Sequence, residues 1–476
     1  MAALAASAFV QVAPQSAATA NVAVGNHLRG RAGDVSAASP KSLFESIPRS
    51  GLVMTGGLAI AAASLRRVSR RHRQATARKQ ATQSVAAPVR QDIGSNLPDC
   101  PKTIWKADDI DIMNLPEVEE TSPLIVDALE LGAALEGRSE AEYFAAERTK
   151  IMEQLQRHGA IWFRNFEMMK DAAGFRTFFE QLELNPCLDP IHTSGLRAMK
   201  EKKDAVYEAV NKPALAGHIV GLHNESTTVK TATYGAFGCF KPASEGGGEF
   251  MLADGAKLIA DMDKDVLKRI YERKVRISVS NLDLNFLGLF PEGPLRDSVQ
   301  NGVKDLIFDV VEPKFQMDLE MVYGADKTNP YRLSAVEHAQ SPINTHPVTG
   351  QPVWFCNIHN HSRYLRDRRP CTVPEVGMTD VFYGDLSRIP PEDVDHINEV
   401  CERNIKLLKM KTGDVVLIDN YRCLHGRKTF KGERNHVVTW FESCGRENKR
   451  EVQGGEPDDF LNELINKTLV DTADFK

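Results

Sequence analysis

An imidazole and a carboxylate two positions apart, His223 and Glu225, constrain this chain more than any other pair of residues. Side chains at i and i+2 share a face on extended backbone. A strand carrying this motif lets both groups meet one ion without a helix. A third candidate ligand, His425, stands past the apolar run Val415 to Ile418 and the Asp419-Asn420 turn. A distal histidine after such a hairpin can fold back onto the first strand of a jelly roll. Arg434 follows beyond a turn at Gly432, and on the adjoining strand it can face the same cavity. Two imidazoles and one carboxylate form the facial set that holds non-haem Fe(II) and leaves positions open. A guanidinium nearby suits an oxoacid co-substrate, because its planar fork grips both carboxylate oxygens and keeps its charge when buried. Zinc accepts the same three ligands, but a zinc hydrolase leaves Arg434 without a purpose.

The remaining pattern is one of short strands with a few helices. Glu140 to His158 has helical apolar spacing at Tyr143, Phe144, Ile151, Met152 and Leu155, and Gly159 stops it. Ala160 to Phe163 reads as a strand, and Ala172 to Leu182 as a helix with Phe175, Phe178, Phe179 and Leu182 on one core-facing stripe. Asn96 to Gly132 reads as a linker and entry strand. Beyond Leu184, β-rich runs appear at Thr231 to Phe240, Val275 to Val279, Pro352 to Cys356, Val415 to Ile418 and Val437 to Phe441. Helical patterns near Lys257 to Arg273 and Pro391 to Leu408 interrupt them. Many short strands between turn signals predict a sandwich or barrel.

The residues around the four site positions resemble the taurine dioxygenase/TfdA superfamily, and within it the clavaminate-synthase-like branch. The matching pieces are His223-Asn224-Glu225, Gly246-Gly247-Gly248-Glu249 with Ala253-Asp254, and Gly413 to Asn420 with Leu424-His425-Gly426-Arg427, Phe430, Gly432 and Arg434. The run His158 to Phe166, Val353-Trp354-Phe355 and Phe382-Tyr383-Gly384-Asp385 are similar too, so the likeness spans about residues 145 to 442 in order. It implies a mainly β fold with flanking helices, a double-stranded β-helix (jelly roll, cupin-like). It implies Fe(II) held by His223, Glu225 and His425, and 2-oxoglutarate with its distal carboxylate on Arg434. The implied activity is oxidation of a small-molecule substrate by O2, with release of succinate and CO2. Related halogenases lack the carboxylate ligand, so Glu225 points to hydroxylation or desaturation. The chain departs from the family at Phe250, where a Thr hydroxyl commonly helps hold 2-oxoglutarate, and at Asn165, in place of Gly. A catalytically silent jelly-roll binding protein that keeps the ligand residues is the alternative. The resemblance also implies a substrate that carries a carboxylate.

Charge and composition bound the rest. Up to Arg90 the only acids are Asp34 and Glu45, against 12 Lys and Arg, which leaves the body near -15. Such a body lacks the basic face that nucleic acid needs. The Ala-, Ser- and Arg-rich residues 1–90 read as a targeting segment, plastid-type in preference to mitochondrial or membrane-anchored. Their apolar run, Gly51 to Leu65, falls short of the roughly 20 residues of a membrane span. The body is expected as one catalytic domain over residues 95–445, followed by a polar acidic tail, 446–476. No two of the eight cysteines form a CxxC pair, so they read as free thiols. His359 and His361 form an H-x-H on an expected solvated loop, and Arg363, Arg366, Arg368 and Arg369 an exposed basic cluster beside it. His436 reads as a core histidine.

Overall fold

The computed structural model describes residues 90–119, 122–192, 199–315, 317–373 and 379–445. Residues 1–89, nearly all of the expected targeting segment 1–90, and the expected tail 446–476 lie outside the described residues. Among the described residues no helix is long and apolar enough to cross a membrane.

Among the described residues eighteen strands make four sheets. The strands are β1 (Leu124–Asp127), β2 (Ala160–Arg164), β3 (Leu184–Cys187), β4 (Met199–Glu201), β5 (Val206–Glu208), β6 (Val220–His223), β7 (Tyr234–Lys241), β8 (Phe250–Asp254) and β9 (Val275–Asp283). They continue with β10 (Leu319–Tyr323), β11 (Arg332–Glu337), β12 (Ile343–Thr345), β13 (Pro352–Trp354), β14 (Asp380–Tyr383), β15 (Lys406–Leu408), β16 (Val415–Asp419), β17 (Cys423–Arg427) and β18 (Asn435–Cys444). The major sheet runs β1-β2-β16-β7-β18-β5-β4, with β3 also on β18, and the minor sheet runs β15-β8-β17-β6. A third sheet, β10-β11-β9-β14, and the pair β12-β13 complete the set. The helices are α1 (Glu140–His158), α2 (Ala172–Gln181), α3 (Gly255–Asp261), α4 (Lys264–Arg273), α5 (Pro294–Phe315), α6 (Ile358–His361), α7 (Arg363–Arg366) and α8 (Pro391–Asn404).

Strand alternation divides the core into layers. Ala160, Phe237, Val416, Ile418, Val438 and Trp440 of the major sheet share one cluster with Phe250, Leu252, Leu408 and Cys423 of the minor sheet. That cluster fills the space between the two sheets and defines the double-stranded β-helix. The next residues along, Ile161, Phe163, Ala236, Val415, Leu417 and Val437, face the other way, under α1 and α2. The outer face of the minor sheet, Leu222, Met251, Ala253 and Leu424, packs against α3, α4, α8, β9 and β14.

The N-terminal wall forms as the periodicity predicts. Ser139 caps α1 with a reciprocal Glu142 bond, and Gly159 ends it at φ +70°. A Cβ at Gly159 would also stand 2.8 Å from the Cys423 sulfur. The expected helix from Lys257 to Arg273 is two helices. Asp263 takes hydrogen bonds from the Asp265 and Val266 amides and so caps a new start. The Pro391 helix ends at Asn404, and Lys406–Leu408 pairs with β8. The helix α5 and the strands β10 and β11 were not anticipated. The segment from Asn96 contains the expected entry strand and is also tied to the body. Trp105 Nε1 donates to the Thr228 carbonyl at 2.9 Å, and Leu124–Asp127 pairs in parallel with β2.

Candidate active site

The expected hairpin between Val415 and His425 does not form. β16 lies in the major sheet between β2 and β7, whereas β17 lies in the minor sheet between β8 and β6. The turn between them is a corner that carries the chain from one sheet to the other. Asp419 fixes it, accepting from the Tyr421 amide at 3.1 Å and pairing with His346 Nε2 at 2.9 Å. Alternation then sends Leu424 outward and His425 inward, where it lies among Phe237 (4.7 Å between ring centroids), Phe250 (6.2 Å) and Trp440 (5.8 Å).

His425 stands opposite His223 in the β17–β6 register. Their rings are 4.3 Å apart between centroids. His223 is the last residue of β6, and Glu225 lies just past the strand end. One nitrogen of His223, one carboxylate oxygen of Glu225 and one nitrogen of His425 all lie within 4.8 Å of one another. His223 Nδ1 faces the Gly221 carbonyl at 2.9 Å, which makes it the protonated nitrogen and leaves Nε2 for an ion. Two imidazoles and a carboxylate, with Glu225 and His425 buried and His223 partly so, fit Fe(II) in donor type and in spacing.

The ligand strand is held by side chains. β6 is an edge strand, and one after another its amides find side-chain acceptors. Gly221 N donates to Asn360 Oδ1 (2.9 Å) and Leu222 N to His359 Nδ1 (2.8 Å). Asn224 N donates to Asn357 Oδ1 (2.9 Å), and Glu225 N to Asn420 Oδ1 (2.9 Å). Asn420 Nδ2 returns bonds to the carbonyls of Glu225 and Ala232. The H-x-H is therefore no solvated loop. His359 is fully buried on α6 and braces the backbone beside His223. His361 is held by Thr379 Oγ1, and burial pushes its pKa well below the ordinary value. The basic cluster is split too. Arg366 is buried and donates to the Asn360 carbonyl, whereas exposed Arg368 lies over the Tyr364 ring. Asn357, Asn360 and Asn420 were missed in the sequence, where no spacing rule links them to residue 223.

Arg434 does not lie on a strand next to β17. It precedes β18, in the other sheet, and its guanidinium is 5.7 Å from the Phe430 ring. Gly248 makes room for it, since a Cβ there would stand 3.2 Å from Arg434 Nε. Nη1 donates to the Ala209 carbonyl (2.8 Å) and Asn211 Oδ1 (3.0 Å), both neutral, while Nε is buried without a partner. Burial and the neighbouring Arg427 pull the Arg434 pKa down to about 9, and no carboxylate among the described residues offsets this. A buried guanidinium with a spare donor and no counter-charge fits the far carboxylate of a dicarboxylic co-substrate. Phe250 is buried and parallel to the His425 ring, at 5°. The hydroxyl expected there in the family is replaced by packing on a ligand. His436 is buried beside Arg434 as a core residue, with its pKa pushed well down by burial.

The family model for the taurine catabolism dioxygenase TauD, TfdA family matches residues 122–440. The chain belongs to the TauD/TfdA family. It is an Fe(II)/2-oxoglutarate-dependent dioxygenase, and the jelly roll described above is that family's scaffold. The dapdiamide synthesis protein DdaC of Enterobacter agglomerans is 26% identical over 298 residues, 60% of this chain and 82% of that one. Among solved structures, PvcB of Pseudomonas aeruginosa is described as an Fe, alpha-ketoglutarate dependent oxygenase from an isonitrile synthetic pathway. It is 14% identical, over 62% of this chain and 80% of its own, with a TM-score of 0.36. An asparagine oxygenase in complex with Fe(II), 2S,3S-3-hydroxyasparagine and succinate is 11% identical over 67% and 93%, with a TM-score of 0.38.

Proposed function

We propose that this TauD/TfdA dioxygenase hydroxylates or desaturates a small organic substrate at an iron held by His223, Glu225 and His425, with 2-oxoglutarate anchored on Arg434. The observation that carries the reading is the pairing of a three-ligand cluster within 4.8 Å with a buried, uncompensated Arg434. When bound, Fe(II) and 2-oxoglutarate supply the oxidising power, using O2 and giving succinate and CO2. The protein's part is placement. The side-chain rack on β6 fixes the separation of His223 and Glu225 before any ion arrives. Phe237, Phe250 and Trp440 keep water from the His425 side. Arg434 orients the oxoacid by its far end, so that its keto-acid end points to the metal ligands. A silent binding protein needs no such counter-charge.

The test is 2-oxoglutarate turnover without added substrate. Slow succinate formation that depends on Fe(II), and is lost in His223→Ala and Glu225→Ala, is expected. Equal turnover in these variants contradicts the ligand assignment. For residues 1–90 we propose a plastid address. A fluorescent reporter carrying them is expected in plastids, and a mitochondrial or cytosolic signal contradicts it.

A further inference from the structure

The hairpin that grows from the metal motif meets an acid that the reaction above does not use. Ser226 bridges to Thr231, and the Thr227 amide donates to the Lys230 carbonyl at 2.8 Å, so Thr228 sits at the tip of a tight turn three residues after Glu225. Against this tip lies Glu337, the last residue of β11, with only 4% of its surface exposed. Its carboxyl accepts two long hydrogen bonds, from the Thr228 amide at 3.4 Å and from Gln340 Nε2 at 3.3 Å. No cation among the described residues offsets it, and burial pushes its pKa up to about 7. Arg276 Nε donates to the Glu337 backbone carbonyl and its Nη2 to the Glu320 carboxylate.

Two further polar groups have no partner. Thr228 Oγ1 and Ser280 Oγ are both buried without a hydrogen bond. The unbroken β10–β11 register puts Glu337 (opposite Leu319) and Ala335 (opposite Met321) on one face of the third sheet, and Ser280 stands opposite Ala335, beside a register break in the β11–β9 pairing. The rest of that face is apolar, with Leu333, Ala335, Leu319 and Met321 in one cluster. An aromatic wall adjoins the turn: Trp105 donates to the Thr228 carbonyl, packs edge-on against Phe355 at 5.5 Å, and Phe355 stacks on Tyr421 at 5.2 Å.

An under-bonded buried carboxyl costs stability. Beside two idle hydroxyls and a ring wall, it has the composition of a site for a cation with several N–H donors. We propose that Glu337, Thr228 and Ser280 form a subsite for a primary ammonium group of the substrate, next to the metal hairpin. This rests on the dioxygenase reading of the metal site and narrows the substrate class to amines with an apolar body. Glu337 acts as a specificity residue. It takes no part in the oxidation, and the ammonium group stays intact.

The test uses the full chain loaded anaerobically with Fe(II) and 2-oxoglutarate, titrated calorimetrically with n-hexylammonium chloride and with n-hexanol. Wild type is expected to bind the ammonium at least tenfold tighter than the alcohol. Glu337→Gln is expected to bring the two within about twofold, and Thr228→Val and Ser280→Ala to lower the preference by smaller factors. Equal affinities in wild type, including no binding of either probe, overturn the proposal. So does a preference that survives in folded Glu337→Gln. The visible charge-transfer band of the iron–oxoacid complex is recorded on the same samples. Its absence in wild type counts against the metal site, whereas the amine preference is judged by the calorimetry alone.

Discussion

Two walls of the same jelly roll are held by different forces. The wall of α1, β2 and α2 is apolar packing: Phe144 lies 5.4 Å from Phe163 and 4.9 Å from both Phe166 and Phe178, all fully buried. The metal strand β6 carries little of this. Leu222 alone joins a core cluster, and the strand hangs on Asn357, His359, Asn360 and Asn420. Non-directional packing makes a wall stable but tolerates small shifts. Hydrogen bonds fix distance and angle, which is what a three-ligand site requires. The comparison predicts that damage to the first wall lowers stability, and damage to the second lowers metal affinity.

The largest effect is expected at Phe144→Ala, a loss of about 3–5 kcal/mol of unfolding free energy from transfer and cavity terms. Chemical denaturation measures it, and iron affinity of the folded fraction is expected to stay within about twofold, since the packing wall carries no ligand. Arg434→Met comes next. Removing one partner of a buried charge pair costs about 2–5 kcal/mol of binding, so 2-oxoglutarate affinity falls steeply while iron affinity holds. The apo form is expected to melt no lower than wild type, because an uncompensated buried cation is gone. An apo form that melts lower contradicts the reading of Arg434 as a waiting counter-charge.

Glu337 gives a pH signature. Its folded pKa of about 7 is above the ordinary 4.5, so the folded chain binds more protons than the unfolded chain between those values. The Glu337 contribution to stability therefore falls as pH rises from 4.5 through 7, by roughly 3 kcal/mol in all. Glu337→Gln is expected to melt higher than wild type at pH 8 and close to it at pH 4.5. A variant that melts lower at pH 8 shows that the carboxylate is already satisfied. The smallest stability effect, about 1–3 kcal/mol, is expected at Asn420→Ala, which leaves the Glu225 amide and the Ala232 carbonyl unbonded. Iron affinity is expected to fall 10- to 100-fold there, the range for partners that orient ligands. A large stability loss with unchanged iron affinity reverses the contrast between the two walls.

What was legible in the sequence follows the same divide. Local periodicity and caps located α1 at its observed bounds, and short apolar runs located β2, β7, β13, β16 and β18 within a few residues. The i, i+2 spacing singled out His223 and Glu225, and the motif around His425 singled out the third residue of the cluster, whose ligand atoms the structure brings within 4.8 Å. The corner at Asn420 was misread as a hairpin, because a turn signal says nothing of which sheet the next strand joins. The rack was not legible at all. Asn360 and Gly221 are 139 residues apart in sequence, and an Asn-Ile-His-Asn run has no period to betray a buried role. His359 looked like a loop residue for that reason, and Arg366 like a surface charge.

The most direct measurement is anaerobic titration of the protein with Fe(II) and 2-oxoglutarate, followed by the weak visible charge-transfer band of the iron–oxoacid chelate. A saturable band in wild type, lost in His223→Ala and shifted to far higher 2-oxoglutarate in Arg434→Met, is the predicted result. Iron bound at His223, Glu225 and His425 with no band at any 2-oxoglutarate concentration contradicts the account.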